Sequence, residues 1–268
     1  MCLILFSFDK HANIPLILAA NRDEFLQRPT APAQYWEDHP DVLAGQDLVG
    51  LGTWLGITKS GKFAAVTNVR EPNITVKDPL SRGELTRNYL TGKLNPVEYI
   101  NSIEANKMRY SGFNLLIGEF TPNQHQLLYF SNRKEGVLSL NAGTYGLSNH
   151  LLDTEWPKVK AGKHFIDNKA PQHADDIHQV EYHQSLRQYL ENPTLADDEQ
   201  LPSTGIAYER EKALSSAFIT LPDYGTRTST VLTISHNKTR FSEKNYISTH
   251  GNHMASNRNE AHVEHFTL

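Results

Sequence analysis

The chain has 268 residues, with 26 Lys and Arg against 30 Asp and Glu, a formal charge of −4. That balance argues against nucleic-acid binding, which needs an excess of basic residues, and no run of about 18 apolar residues exists to form a transmembrane segment. The single cysteine excludes an internal disulfide and thiol–zinc clusters; a short apolar opening with no basic flank makes a cytoplasmic location the expectation.

In chain order, residues 2–8 and 15–21 are apolar runs separated by a polar spacer, which predicts a buried hairpin. Gly52–Ile57 and Phe63–Asn68 flank Lys59-Ser60-Gly61-Lys62, a second hairpin with turn chemistry in place. Asn95-Pro96-Val97-Glu98 supplies an N-cap, a Pro at the first helical position and a Glu three residues after the cap. Strands are expected at 114–119, 126–131, 137–140 and 144–148. Helices are expected from Trp156-Pro157, over 174–190 and over 209–218, before two closing strands at 228–235 and 239–246. Strands in blocks and helices in blocks give an α+β layering. No repeat or linker divides the chain, so one domain over residues 1–250 is expected, followed by a polar, loose tail at 251–268.

Cys2 is the residue with the most chemistry at stake. A lone thiol is commonly a small buried hydrophobe. If Met1 is removed, however, Cys2 carries both a nucleophile and its own amine, whose ordinary pKa near 8 suits a general base. Asn21-Arg22-Asp23-Glu24 ends the second predicted strand, beside Cys2 if the hairpin forms. It reads either as a charged turn or as a group that holds the cysteine ionised. Neighbours on a strand face opposite ways, so only one of Arg22 and Asp23 can point at Cys2 unless the strand bends. Asn68 and Asn149 sit at strand ends, as turn formers or as amide donors to an oxyanion. Arg227 opens a strand. Trp54, in Gly52-Thr53-Trp54-Leu55-Gly56-Ile57, reads as core more readily than as a ligand contact. The tract from Glu71 to Arg87 offers either a basic rim, with Arg82, or a solvated helix start. His250/His253 and His262/His265 read as solvated tail residues, so no metal site is expected.

Cys2, Asn21–Glu24 and Gly52–Ile57 together resemble the NRDE family, also called the Transport and Golgi organisation 2 family. The resemblance extends through Thr67-Asn68-Val69-Arg70, Ser81-Arg82-Gly83, Gly112-Phe113-Asn114, Gly146–Asn149 with Trp156-Pro157-Lys158, and Gly225–Thr230. A more distant resemblance is to cysteine N-terminal-nucleophile hydrolases of the bile-salt-hydrolase and penicillin-V-acylase type. That second resemblance implies a four-layer αββα sandwich and a catalytic set of Cys2, Arg22, Asp23, Asn68, Asn149 and Arg227. The adjacency of Arg22 and Asp23 departs from the acylase pattern, in which a short spacer separates the two. The family resemblance implies intracellular binding and trafficking of an amphipathic ligand, haem foremost or an acyl-CoA or other lipid, with no covalently attached cofactor. Cys2, Asn21, Arg22, Glu24, Trp54, Arg70 and Arg82 would then line the ligand pocket. The alternative is an amidohydrolase that opens a C–N amide bond after Met1 is removed.

Overall fold

β1 (Cys2–His11) and β2 (Ile14–Phe25) form the expected first hairpin, paired antiparallel from Cys2↔Arg22 to Phe8↔Leu16. They belong to a computed structural model that describes residues 2–11, 13–122, 124–169, 176–235, 238–246 and 263–267. The chain divides into two compact units: Met1–Gln27, Thr144–Leu147 and Asp153–Leu268 in the first, Arg28–Gly143 and Ser148–Leu152 in the second. Each unit is built on one antiparallel sheet, which makes the fold α+β. Among the described residues, no helix is long and apolar enough to cross a membrane.

The second unit contributes β3 (Thr30–Tyr35), β4 (Val42–Asp47), β5 (Leu55–Thr58), β6 (Lys62–Asn68), β7 (Phe113–Thr121), β8 (Gln124–Ser131) and β9 (Val137–Ser139). They lie side by side in sequence order, so every neighbour is reached without a crossover. Gly61 makes the β5–β6 turn at φ +93°, and a Cβ there would come within 2.1 Å of the Phe120 carbonyl oxygen; only glycine fits. Between β6 and β7 the chain forms α1 (Arg82–Thr91) and α2 (Pro96–Glu104). The Asn95 side chain accepts from the Glu98 N–H at 3.0 Å, and the Glu98 carboxylate accepts from the Asn95 N–H at 3.1 Å. This is the reciprocal cap expected from the sequence. The helices bury Leu85, Tyr89, Tyr99 and Ile100 against Val66, Leu115, Ile117 and Phe130 of the sheet.

The first unit adds β10 (Gly143–Leu147), β11 (Tyr224–Ile234), β12 (Thr239–Asn245) and β13 (Val263–Thr267), in the order β10-β1-β2-β11-β12-β13. α3 (Pro157–Lys169) and α4 (Asp176–Leu190) cover one face, packing Val159, Ile166, Leu186 and Leu190 on Leu3, Leu5, Ile17, Ala19 and Val231. On the opposite face Ile4, Phe6, Leu16 and Leu18 are buried too. Burial on both faces explains why β1 and β2 read as unbroken apolar runs instead of alternating ones.

Three features depart from the sequence reading. β3 and β4 were not expected: Pro32 sits in β3, an edge strand where a missing N–H is tolerated, and Gly45, a weak strand former, stands within β4. α5 (Tyr208–Ala213) stops short of Phe218. The carbonyls of Leu214 and Ser216 accept instead from the buried Lys158 ammonium, at 2.9 and 3.3 Å. In the tail, residues 263–267 pair with β12 from Lys244↔Val263 to Arg240↔Thr267; His250, His253 and His262 lie outside the described residues.

Candidate functional site

The six residues of the acylase-type set are divided between the units: Cys2, Arg22, Asp23 and Arg227 in the first, Asn68 and Asn149 in the second.

In the first unit, cross-strand register decides which side chains share a face. Directly opposed residues of an antiparallel pair point to the same side. Cys2 opposes Arg22, Arg22 opposes Thr228, and Thr228 opposes Asn245, so these four positions form one row across β1, β2, β11 and β12. Met1 and the side chain of Cys2 lie outside the described residues. Arg22 is 5% exposed, and its guanidinium lies 3.8 Å from the Glu24 carboxylate, two residues on and on the same face. Glu24 also accepts from the Phe25 N–H at 2.9 Å.

Asn21 and Asp23 alternate to the opposite face, the one covered by α3, α4 and the 214–219 segment. The Asn21 amide donates to the carbonyls of Leu190 and Ala217, both at 2.8 Å, and accepts from the Ser229 hydroxyl at 2.6 Å. Asp23 is buried and accepts from the Thr226 hydroxyl at 2.7 Å. Burial pushes its carboxyl above the ordinary range, against the opposing pull of the chain's terminal amine, Lys158, the Thr226 hydrogen bond and Arg22. Arg22 and Asp23 therefore point to opposite sides of the strand.

Arg227 reaches the Arg22 face through an irregularity. Asp23 opposes Thr226 but Arg22 opposes Thr228, so β11 carries one extra residue. A bulge of this kind sets two consecutive residues on one side, here Arg227 and Thr228. The Arg227 guanidinium donates to the carbonyls of Phe25 and Leu26 at 3.1 and 2.8 Å. Its pKa is lowered, first by burial and then by the like charge of Arg22, while Glu24 acts in the other direction.

In the second unit, Asn68 and Asn149 meet. The buried Asn149 amide donates to the Asn68 carbonyl at 3.2 Å, and the Arg70 N–H donates to the Asn149 carbonyl at 2.7 Å. Beside them a neutral network runs from strand to strand. Thr67 donates to the Ser148 carbonyl at 3.1 Å, and the Asn114 amide donates to Thr67 and to the His150 carbonyl at 3.1 and 2.9 Å. The Tyr129 hydroxyl donates to Asn114 at 2.7 Å and accepts from the Leu152 N–H at 3.2 Å. Arg82 donates to the Gly112 carbonyl at 3.2 Å, and Glu71 holds the Gly112 N–H at 2.7 Å and Arg133 in a two-point ion pair at 2.6 and 2.7 Å. The tract that reads as a basic rim or a solvated helix start is thus tied to the residues flanking β7 and β8. Trp54 is buried with its ring against Gly45, where a Cβ would come within 2.3 Å of it.

Two residues escaped the sequence reading. Lys158 is buried, which nothing in Trp156-Pro157-Lys158 signals, because a lysine in a first helical turn is ordinarily solvated. Thr228 lies within the quoted Gly225–Thr230 block, but its place beside Arg22 depends on the bulge, which has no sequence signature here.

The model of the Transport and Golgi organisation 2 family matches residues 1–248. The chain belongs to the Transport and Golgi organisation 2 family. It is 37% identical over 251 residues to the Transport and Golgi organization protein 2 homolog of Bos taurus, covering 87% of this chain and 88% of that one. Identity to the Mus musculus homolog is 33% over 254 residues, covering 88% and 90%. The Drosophila melanogaster protein of the same name is 28% identical over 285 residues, at 98% coverage of each. Among solved structures, a Caenorhabditis elegans N-acylethanolamine-hydrolyzing acid amidase ortholog aligns at a TM-score of 0.43 and 10% identity, covering 68% of this chain and 85% of that one. The C2A mutant of the conjugated bile acid hydrolase from Clostridium perfringens aligns at 0.39 and 11%, covering 99% and 96%. Likeness at that level leaves the chemistry of this Transport and Golgi organisation 2 family member to its own residues.

Proposed function

We propose that this protein binds and carries an amphipathic ligand bearing a carboxylate, haem foremost and an acyl compound such as an acyl-CoA next. The supporting observation is the pairing of Arg22 and Arg227 on one face, brought about by the β11 bulge. The buried Arg22 and half-buried Arg227 repel each other, and the Glu24 carboxylate beside them offsets part of that repulsion. An anion shared between them reverses its sign, and planar carboxylates match guanidinium geometry. In haem these residues would recognise the propionates; in an acyl compound, the carboxylate or phosphate end. The names of the relatives, which speak of transport, suit a carrier.

Absorbance titration of the purified protein with ferric haem tests this reading. Saturable displacement of the Soret band at micromolar haem is expected, and an unchanged band across that range overturns it.

One observation favours a second reading, a C–N amide hydrolase with Cys2 as nucleophile: the backbone register that sets Cys2 opposite Arg22. Asp23 is not in the Cys2 row and faces the helices and Lys158, but its carboxyl feels the charge of the chain's terminal amine. Intact-mass measurement on protein isolated from cells discriminates, since a fully retained Met1 leaves no free amine on Cys2 and removes this reading.

A further inference from the structure

The Arg22 row holds the hydroxyl of Thr228 at its centre. Thr228 is 2% exposed, and its hydroxyl has no hydrogen-bond partner among the described residues. Its neighbours on the same face do find partners. The Thr230 hydroxyl donates to the buried Glu243 carboxylate at 3.2 Å, and the Asn245 amide donates to the other oxygen of Glu243, also at 3.2 Å. Thr228 stands between these groups and the arginines: it opposes Arg22 on one side and Asn245 on the other, and follows Arg227 in the bulge.

A buried hydroxyl without a partner is destabilising, and interiors rarely retain one. Without the bulge, alternation would turn position 228 to the helix-covered face, away from Arg22. The irregularity therefore brings a charged donor and a neutral donor to one place together. Glu243, one row further along the sheet, opposes Thr230.

We propose that Thr228 is a ligand-binding residue whose hydroxyl donates to the carboxylate seated between Arg22 and Arg227, forming a three-donor carboxylate subsite. This rests on the carrier reading above. The guanidiniums supply charge, and the hydroxyl supplies a donor fixed in direction by the strand. An ester of the same ligand lacks the anionic oxygens and gains little from the site.

Thr228→Val and Thr228→Ser, each titrated with ferric haem and with its dimethyl ester, test the proposal. Thr228→Val keeps the shape and removes the hydroxyl. It should weaken haem binding by about tenfold, in line with loss of one hydrogen bond to a charged group. Thr228→Ser should stay within about threefold of wild type, and affinity for the ester should be the same in all three proteins. A thermal melt of the ligand-free protein supplies an independent readout. Thr228→Val should melt at the same temperature as wild type or a few degrees higher, because the unpartnered hydroxyl is gone.

Wild-type haem binding with Thr228→Val unchanged overturns this inference and leaves the carrier reading standing. No haem binding by wild type overturns both. A lower melting temperature for Thr228→Val shows that the hydroxyl is bonded within the folded chain, and that too overturns the inference.

Discussion

The two units differ in whether their buried polar groups include charged ones. On β6, β7 and β8 they are neutral amides and hydroxyls, and Thr67, Asn114 and Tyr129 each meet partners within the unit. The first unit buries neutral groups too, Asn21 and Ser229 among them, but adds charged ones: Arg22 and Asp23 on β2 and Lys158 on α3. Neutral networks with matched donors and acceptors rigidify a fold at modest electrostatic expense. Buried charges carry a large desolvation penalty, so their retention points to a task beyond stability. On the carrier reading proposed above, the contrast separates a scaffold from a site.

The harshest way to break that contrast is Lys158→Met. It leaves the Leu214 and Ser216 carbonyls without their donor and removes a positive charge near Asp23. A loss of about 3–5 kcal/mol in urea unfolding is expected, the range for losing one member of a buried charged arrangement. A change under about 1 kcal/mol would show that water replaces the ammonium.

Asn114→Ala strikes the neutral network and should cost about 2–3 kcal/mol, from the hydroxyls and carbonyl left behind. Haem affinity should stay within about threefold of wild type, because the residue belongs to the scaffold. Loss of binding by a folded Asn114→Ala protein would erase the distinction between the units.

Gly45→Ala probes packing alone. The new methyl group must displace the Trp54 ring, which should cost about 1–3 kcal/mol and leave haem affinity unaltered. A parallel loss of affinity would make Trp54 a ligand contact.

The subtlest probe is pH. Because burial raises the Asp23 carboxyl above its ordinary 3.8, the folded state holds that proton more tightly than the unfolded chain does. The associated stability is fully present below pH 3.8 and is lost as pH rises through the folded-state value. Asp23→Asn should therefore melt higher than wild type at pH 7, with the difference shrinking toward zero in acid. A variant less stable than wild type at neutral pH would mean that the neighbouring positive charges and hydrogen bond outweigh burial.

Much of the framework was legible in the sequence because it rests on local signals. The β1–β2 spacer, the Lys59–Lys62 turn and the Asn95–Glu98 cap each act within a few residues, and the structure realises all three. β3 stayed hidden because a proline on an edge strand looks like a loop, and α5 was overextended because a distant lysine takes the carbonyls that a longer helix would use. At the site, strand alternation correctly separates Arg22 from Asp23. It also sends Asn21 to the helix-covered face, where its amide is occupied by Leu190, Ala217 and Ser229. The gathering of Arg227 and Thr228 beside Arg22 depends on one extra residue in β11, which no periodicity in Gly225–Thr230 reveals.

The most direct test of the carrier account is equilibrium haem titration of Arg22→Gln beside wild type and Asn114→Ala. Arg22→Gln should bind at least tenfold more weakly, while wild type and Asn114→Ala bind alike. Equal affinity of Arg22→Gln and wild type would contradict the assignment of ligand recognition to the Arg22 face.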